Sequence, residues 1–579
     1  MNKRFLLSAA VKTAVLAAAV LGLGLAVDRP GAEPAAVDDI DRASDHCTVI
    51  LVGKNASTDG STMTTHAADC GSCDWTWAKI PARDNKPGTV RKVYHVGQMT
   101  TVPPSQGSKW DPAHMDDTGL TLPEPAHTYG YMRGVFGYMN DRQLAMGEST
   151  IGNVRKLSNN TPTPKTDITS LTLLAMERCT TAREAVQFMG GLAETYGYGK
   201  VDGGEMLAVA DPNEVWVFEI MPVGPLWTPE SGKPGAVWCA QRVPDDHVSV
   251  CPNESRIGEV DLADKDNFLG SAHMVELAVE QKLYDPASGK PFNWKRAFSP
   301  SNGSAKSSNG RISRMWRFFD LVAPSQKFKV DLENMDFPFS VKPDKKLSPA
   351  DVMALTRDKS EGTPFDPVQG IRGGPYGNPN YWGGTRLIAV RNAEYTSLTQ
   401  CRANLPDAVG GIVWLAWGSQ DTACYMPFYA GITAMPKSFA IGDHWEFNRA
   451  SARWAFDYVD FHTQPVYREA IKDVRKARLE HEDGAFAKIA ETDKAAAALW
   501  AKSPKKAVEL LTKFSVENAD RVVAAWWELG DRLLVRYNHF GFYNSETRRR
   551  ERVQAQDALW PKAVRSIDVW TAPDLPANR

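Results

Sequence analysis

The sequence predicts an α+β fold in which antiparallel sheets and helices are followed by a mostly helical region. Three observations predict it. Short apolar segments occur in pairs around polar turns, which is typical of β-hairpins. Segments with helical apolar spacing lie between these pairs along the chain. From about Gly442 to Phe542 the pattern is helical, with long stretches rich in Lys, Glu and Ala.

The length and composition indicate a globular protein. The chain has 579 residues, of which 43% are hydrophobic and 23% are charged, which is too apolar for a disordered chain. Its 67 basic and 69 acidic side chains give a formal net charge of -2. No positive field would therefore concentrate a polyanion, and we expect no nucleic-acid partner.

The N-terminal residues have the pattern of a signal peptide, which we place at residues 1–26. Lys3 and Arg4 precede an apolar run from Ala14 to Val27. This run is shorter than the roughly 20 residues that a membrane-spanning helix needs. Residues 27–46 are polar and acidic and cannot bury a core, so they predict a prosegment. We expect a mature protein that is exported to an oxidising periplasmic or extracellular compartment and is not held at a membrane.

The first hairpin brings three reactive side chains together. Cys47 to Gly53 is a continuous apolar run that is typical of a buried strand, and Ser61 to His66 is a second β-forming segment after the turn at Asp59-Gly60. Antiparallel pairing predicts that Cys47 lies opposite a residue within one or two positions of His66. We therefore expect Cys47, His66 and Asp69 to converge.

The later elements alternate between helices and hairpins. Thr181 and Glu184 have the spacing of a capping box at a helix start. In chain order we predict helices over Leu171–Cys179 and Glu184–Tyr196, a hairpin of Glu205–Ala210 with Val215–Ile220, a hairpin of Val237–Val243 with His247–Cys251, a strand over Gly411–Trp417, and helices that include Val474–Thr492 and Ala519–Tyr537.

The eight cysteines suggest some disulfides. If the second hairpin is centred on Asp245, Cys239 and Cys251 lie directly opposite each other, as a cross-strand disulfide requires. Cys401 with Cys424 is a further candidate pair, and Cys179 on its helix is then left as a free thiol.

Cys70 and Cys73 form a C-x-x-C motif. No second pair completes a zinc tetrad, although His66 and Asp69 could add ligands. A redox role would favour a helix start in a βαβ unit, which this β-rich context does not suggest. A local disulfide or two plain thiols is the preferred interpretation.

Several common signatures are absent from the sequence. There is no G-x-S-x-G, no H-E-x-x-H and no G-x-x-x-x-G-K, and the glycine-rich stretch from Gly370 to Gly384 lacks the spacing of a phosphate loop. We expect no cofactor and no metal.

Cys47 is the candidate nucleophile because of its position directly after the acidic segment. If residues 1–46 were removed, Cys47 would become the N-terminal residue. Its α-amine, with an ordinary pKa of about 7.7 to 8.0, could then accept the proton of its own thiol. One residue would supply both nucleophile and base. The alternative is a core cysteine that begins a buried strand.

Seven stretches of the chain resemble one enzyme family. They are CTVILVGKNASTDGSTM from Cys47, GYMNDRQLAMGEST from Gly137, MLAVADPNEVWVFEI from Met206, WCAQRVPDDHVSVCPNESRIGEVD from Trp238, ISRMWRFFDLVAPS from Ile312, EGTPFDP from Glu361 and LPDAVGGIVWLAWG from Leu405. On these motifs the chain resembles the PepD-type cysteine dipeptidases. They are N-terminal nucleophile (Ntn) hydrolases related to choloylglycine hydrolases and penicillin V acylases.

The resemblance implies an αββα sandwich of two antiparallel sheets between helix layers, and autocatalytic removal of the chain before Cys47. It implies a catalytic domain over residues 47–440 and a helical C-terminal region over residues 441–579.

The resemblance also implies roles for individual residues. Asp69 matches the family aspartate that lies beside the nucleophile. Asn253 in CPNESR matches the oxyanion-hole or amine-holding asparagine, and Arg314 in ISRMWR matches the active-site arginine. Ser149 and Thr150 fall near the substrate-contact or oxyanion position. The family commonly has arginine where this chain has His66, so the role of that residue is open.

The expected function is that of an exported cysteine dipeptidase acting on dipeptides or short peptides. One alternative is an amidohydrolase of the same fold that cleaves N-acyl amides, such as a bile-salt or penicillin acylase. Another is a thiol redox or binding protein that uses Cys70 and Cys73. Because members of the family often assemble, we expect a homo-oligomer on the resemblance alone.

Overall fold

The structure is a computed structural model, and it describes residues 47–71, 73–96, 109–157, 163–199, 203–300, 305–330, 337–368, 372–381, 386–544 and 546–552. The predicted signal peptide (1–26) and prosegment (27–46) lie outside the described residues. In the part of the chain that is described, no helix is both long enough and apolar enough to cross a membrane.

The strands are short, and all but the last two lie in the first three quarters of the chain. In chain order they are β1 (Val49–Val52), β2 (Thr62–Ala68), β3 (Ala78–Ile80), β4 (Arg83–Asp84), β5 (Val90–His95), β6 (Asp116–Pro123), β7 (His127–Thr128), β8 (Tyr131–Arg133), β9 (Gly137–Asn140), β10 (Ala145–Ile151), β11 (Gly204–Ala210), β12 (Val215–Pro222), β13 (Ala236–Val243), β14 (Val248–Cys251), β15 (Phe268–Gly270), β16 (Tyr395–Cys401), β17 (Ile412–Trp417), β18 (Met426–Tyr429), β19 (Gly541–Asn544) and β20 (Arg549–Arg552).

The helices lie mostly in the middle and at the end of the chain. They are α1 (Ile168–Arg178), α2 (Ala182–Tyr196), α3 (Met274–Glu280), α4 (Trp294–Phe298), α5 (Ala305–Val322), α6 (Pro349–Thr356), α7 (Asp407–Gly410), α8 (Ala452–Thr463), α9 (Tyr467–Trp500) and α10 (Pro504–Tyr537).

Two large sheets form the core. One has six strands in the order β14-β1-β2-β16-β17-β18, and the other has eight in the order β15-β13-β12-β11-β10-β9-β8-β3. The pairings within both sheets are antiparallel. Strands β10 and β11 contact β2, so the sheets face each other. Helices α1 and α2 pack on the eight-stranded sheet, and α8 and α10 pack on β17 and β18. The predicted αββα arrangement is therefore confirmed.

Helix starts follow the local sequence. Asp167 caps α1 by accepting from the Ser170 N–H, and the Ser170 hydroxyl completes the capping box. Thr181 caps α2 by accepting from the Glu184 N–H, as predicted. The Glu184 carboxylate instead accepts from the N–H of Thr180, one residue before the cap, so only half of the predicted box forms. Both helices begin a few residues before the predicted bounds because the caps lie upstream.

The helical region near the C-terminus begins as predicted after Gly442. Helices α8, α9 and α10 supply it, and they contain the predicted stretches Val474–Thr492 and Ala519–Tyr537. Pro504 occupies the first turn of α10, where its missing N–H costs no hydrogen bond. Apolar side chains of α10, among them Trp526 and Leu533, are buried in the same core as the sheets.

One predicted hairpin is wrong, and its disulfide with it. Strands β13 and β14 follow each other across a short turn, but β13 belongs to the eight-stranded sheet and β14 to the six-stranded one. Cys239 pairs with Glu219 and Gly270, whereas Cys251 pairs with Val49. Both cysteines are free. Turn chemistry predicts that the chain reverses, but it does not predict whether the second strand returns to the same sheet.

Candidate active site

Cys47 lies two residues before strand β1, whose neighbours in the six-stranded sheet are β14 and β2. Carrying the Val49↔Cys251 register two residues back places Cys47 opposite Asn253. Carrying the Leu51↔Thr64 register back by four residues places it opposite Ala68, next to Asp69 and two positions from His66. The predicted hairpin is confirmed, and the second neighbour, β14, adds Asn253 to the same end of the sheet. Cys47 is fully buried.

Arg314 on α5 connects Cys47 to Asn253. Its Nη1 donates to the backbone oxygen of Cys47 at 2.7 Å and to the hydroxyl of Thr48 at 2.9 Å. Both terminal nitrogens donate to Oδ1 of Asn253 at 3.1 Å, and Nη2 also donates to the Pro252 carbonyl at 2.9 Å. Burial lowers the pKa of Arg314 well below its usual value, with the nearby Arg386 adding to the shift. A planar fork is suited to hold several acceptors in this way.

Asn253 is held in a backbone conformation that few residues adopt. Its φ is 62°, in the left-handed region that asparagine tolerates better than most residues. Its backbone N–H donates to Oγ of Ser149 at 3.2 Å, and its side-chain Nδ2 donates to the carbonyl of Thr150 at 2.9 Å. The structure thus brings Ser149, Thr150, Asn253 and Arg314 together at Cys47. In this state β10 accepts one hydrogen bond from the backbone N–H of Asn253 and one from its side-chain NH2, which has two hydrogens to donate.

His66 on β2 is buried against the main chain of β10 in the facing sheet. Its Nδ1 lies 2.8 Å from the carbonyl oxygen and 3.1 Å from the backbone nitrogen of Glu148. The imidazole also packs against the rings of Phe136, Tyr138 and Tyr395. Burial lowers the pKa of His66 to about 4, so it is neutral at physiological pH. It therefore does not replace the positive charge of the family arginine.

Glu148 places a carboxylate directly at the candidate nucleophile. Cys47 Sγ lies 3.4 Å from Oε2 of Glu148, and Nδ1 of His66 lies 3.7 Å from the same oxygen. Oε1 accepts from the hydroxyl of Thr150 at 3.2 Å. The Glu148 residue is 1% exposed.

Asp69 forms an ion pair with Arg386, which lies in a loop far along the chain. Arg386 donates to Oδ2, and Gln420 donates to Oδ1 at 3.1 Å. Asn392 donates to the backbone oxygen of Asp69 at 2.9 Å. Burial raises the pKa of Asp69 to about 6, while Arg386 and Arg314 pull it down. The ion-pair partner of Asp69 is thus Arg386, while His66, at the position where the family commonly has arginine, is neutral.

The C-x-x-C motif directly follows Asp69. Cys70 and Cys73 form a disulfide, as the sequence analysis preferred. Oxidised in this way they are not zinc ligands, because metal binding needs thiolates. The suggested Cys401–Cys424 disulfide is wrong: both thiols are free and buried at separate places, with Cys401 on the carbonyl of Gln143.

Cys47, His66 and Glu148 have donor types that suit a transition metal. One ligand atom of each lies within 4.8 Å of the other two. The imidazole nitrogen that faces the Glu148 carboxylate is, however, already bonded to the main chain of Glu148. A metal bound at Nδ1 would break that contact, whereas Nε2 of His66 is buried and has no hydrogen-bond partner among the described residues.

Sequence reasoning missed Glu148, Arg386 and Gln420. Glu148 had a signal, because it is a charged residue within the strand-forming segment LAMGEST next to the two residues that were singled out. Arg386 and Gln420 had none, since they are separated from Asp69 by more than 300 residues and follow no local motif.

Comparison with known protein families gives a match that spans the candidate site. The model of the family described as "Peptidase family C69" matches residues 46–480, which includes all of these side chains. The chain belongs to peptidase family C69.

Relatives of this C69 chain are similar over most of their length. A probable dipeptidase of Latilactobacillus sakei is 27% identical over 470 residues, covering 78% of this chain and 87% of the relative. Dipeptidase A of Lactobacillus helveticus is 24% identical over 420 residues, covering 70% and 79%. Penicillin V acylase from Agrobacterium tumefaciens, a solved structure, matches with a TM-score of 0.30 and 12% identity over 66% of this chain and 86% of the acylase.

Proposed function

We propose that this C69 protein is an exported cysteine dipeptidase whose nucleophile is Cys47, exposed as the N-terminal residue by self-cleavage. The proposal is carried by the set of side chains around the buried Cys47. Arg314 donates hydrogen bonds to the Cys47 carbonyl and to Asn253. Asp69 directly follows Ala68, the residue that lies opposite Cys47 on the neighbouring chain segment. Membership of C69 and the dipeptidase names of its relatives support the substrate class.

The proposed turnover uses both ends of Cys47. Its free α-amine accepts the thiol proton, and the thiolate attacks the amide carbonyl of the substrate. The ammonium then protonates the departing amine, and water hydrolyses the thioester. An ionised Asp69 stabilises the ammonium.

The oxyanion of the tetrahedral intermediate needs donors that are already in place. Asn253 supplies the nearest backbone and side-chain N–H groups at this end of the sheet. Ser149 accepts from the backbone N–H and Thr150 accepts from one of the two side-chain N–H bonds, so the second side-chain N–H can donate to an oxyanion without displacing either contact. Arg314 keeps the Asn253 amide oriented through Oδ1.

Export is also part of the proposal. The charged and apolar pattern of residues 1–26 supports a signal peptide, and the Cys70–Cys73 disulfide fits an oxidising compartment. We propose a periplasmic or extracellular location, which fractionation of the producing cell would test.

A substrate panel tests the activity. Purified, processed protein is incubated with unblocked dipeptides, N-blocked dipeptides and N-acyl amides, and the released amines are quantified. We expect hydrolysis of the unblocked dipeptides, with Cys47→Ser reducing it at least a thousand-fold. Hydrolysis of N-acyl amides alone would overturn the dipeptidase assignment and favour an acylase of the same fold.

A further inference from the structure

The self-cleavage that exposes Cys47 faces a chemical problem that the mature enzyme does not. In the uncut chain the nitrogen of Cys47 is part of the His46–Cys47 peptide bond. An amide nitrogen has no basic lone pair, so it cannot accept the thiol proton as the free α-amine does. Another group must accept that proton before the sulfur can attack. This question rests on the proposed function, since it arises only if Cys47 is released by self-cleavage.

Glu148 is the group in contact with the sulfur. Its Oε2 lies 3.4 Å from Cys47 Sγ, within reach of an S–H donor. Its other oxygen is oriented by the hydroxyl of Thr150 at 3.2 Å. The carboxylate lies on β10, the strand of the facing sheet that also holds Ser149 and Thr150 against Asn253. Strand β10 and the Thr150 hydroxyl therefore hold the Glu148 carboxylate in place beside Cys47.

The other titratable groups near Cys47 are arranged for different contacts. Both carboxylate oxygens of Asp69 already accept hydrogen bonds, one from Arg386 and one from Gln420. His66 directs Nδ1 at the main chain of Glu148. Arg314 has only donors. Among these residues, Glu148 alone combines an acceptor oxygen with a direct contact to Sγ.

We propose that Glu148 is the general base of the self-cleavage step, and that the α-amine takes over this role in the mature enzyme. Glu148 Oε2 accepts the proton of the Cys47 thiol as Sγ bonds to the carbonyl carbon of His46. The C–N bond then breaks, and the protonated Glu148 returns the proton to the departing nitrogen, which becomes the α-amine. Water hydrolyses the resulting thioester to a His46 carboxylate and the Cys47 thiol. No other reactant is needed.

The two roles predict different responses to Glu148→Gln. Glutamine keeps the size and the hydrogen bond from Thr150 but cannot take up a proton. In the full-length chain we expect the rate of cleavage before Cys47, followed by intact mass, to fall at least a hundred-fold, the size of a typical general-base contribution. Glu205→Gln is the matched control. Glu205 lies on β11, its carboxylate is as buried as that of Glu148, and it accepts from the Thr150 hydroxyl at 3.5 Å. It should cleave within about three-fold of the wild-type rate.

Chemical rescue separates a base from a structural carboxylate. Glu148→Ala leaves space for a small acid, so added formate should accelerate cleavage of that variant in a concentration-dependent way, while chloride at the same ionic strength should not. A folding defect would respond to neither salt. Cleavage of Glu148→Gln at the wild-type rate, or failure of formate to accelerate Glu148→Ala although its thermal unfolding matches the wild type, would overturn the proposal.

A chain opened from outside distinguishes this proposal from the proposed function. Residues 41–46 of the full-length Glu148→Gln chain are replaced by the recognition sequence of a protease that leaves Cys47 as the first residue. We compare two losses relative to wild type: the loss of self-cleavage rate in the uncut Glu148→Gln chain and the loss of dipeptide turnover after opening. We expect the second loss to be at least ten-fold smaller than the first. Equal losses would overturn the division of roles. If opened wild-type protein cleaves no dipeptide, the proposed function fails instead, and the self-cleavage result stands.

Discussion

Arg386 donates a hydrogen bond to the buried carboxyl group of Asp69 from a segment more than 300 residues further along the chain. Burial alone would drive the pKa of Asp69 higher, and the guanidinium holds it at about 6. The ionised carboxylate that the proposed mechanism needs at neutral pH therefore depends on Arg386.

Arg386→Met should move the acidic limb of activity. Activity should already fall where the free α-amine becomes protonated, at about pH 7.7 to 8.0 for an ordinary α-amine, and protonation of Asp69, the partner of the α-ammonium, should add a second limb near pH 6. Without Arg386 the pKa of Asp69 rises, and we expect the limb of kcat/KM against pH to shift upward by at least one unit. Arg142→Met, which removes a half-exposed partner of Asp407, is the control and should leave the profile unchanged. An unshifted limb in the Arg386 variant would show that this ion pair does not set the protonation of Asp69.

Substitutions at Asn253 separate backbone strain from chemistry. Asn253→Gly removes the side chain but tolerates the φ of 62°, whereas Asn253→Ala must adopt a left-handed backbone at a cost of about 1 to 2 kcal/mol. We expect urea denaturation to show the alanine variant less stable than the glycine variant by about 1 kcal/mol. Both should lose activity at least a hundred-fold, because both lose the amide that Arg314 orients. An active glycine variant would show that only the backbone of Asn253 matters.

His66 should contribute to acid sensitivity of the fold. Its pKa is lowered from 6.5 to about 4 in the folded protein, so between these values the unfolded chain binds a proton that the folded protein refuses. The stability that this neutral histidine contributes is fully present above pH 6.5 and is lost as pH falls toward 4. The difference is at most about 3 kcal/mol.

The measurement is urea denaturation at pH 7 and at pH 4.5. His66→Gln should lose less stability on acidification than the wild type does. His127→Gln serves as the control, because that histidine is 47% exposed on the surface beside Asp84. Equal losses in His66→Gln and wild type would mean that His66 titrates normally.

The cysteine pairing can be tested by counting thiols. The structure has one disulfide, Cys70–Cys73, and places the remaining cysteines apart. Under denaturing, non-reducing conditions we expect five thiols besides that of Cys47 to react with a thiol reagent. They belong to Cys179, Cys239, Cys251, Cys401 and Cys424. A count of one or three would show that further disulfides form in the purified protein.

The sequence predicted the parts of the site that depend on local pattern. The buried run at Cys47 and the turn at Asp59-Gly60 were enough to place Asp69 and His66 near Cys47, and the register confirms this. The family motifs added Asn253 and Arg314, which the structure joins by direct hydrogen bonds. These residues were predictable because each lies within a contiguous motif.

The rest of the site depends on how distant segments pack. The pairing of β14 with β1 sets Asn253 opposite Cys47, but the turn before β14 has the same composition as a hairpin turn. Because of that ambiguity, the predicted Cys239–Cys251 disulfide is wrong. Arg386 reaches Asp69 from a loop, where no periodicity constrains the side chain. The sequence left the role of His66 open, because the charge of a histidine depends on its surroundings, and burial among aromatic rings keeps this one neutral.

The most direct test of the account is the intact mass of the active protein, confirmed by N-terminal sequencing and compared with Cys47→Ala. We expect active wild-type protein to begin at Cys47, having lost residues 1–46, and the Cys47→Ala chain to retain the residues just before position 47 and to be inactive. Active protein that retains His46 would contradict it, because Cys47 would then have no free α-amine.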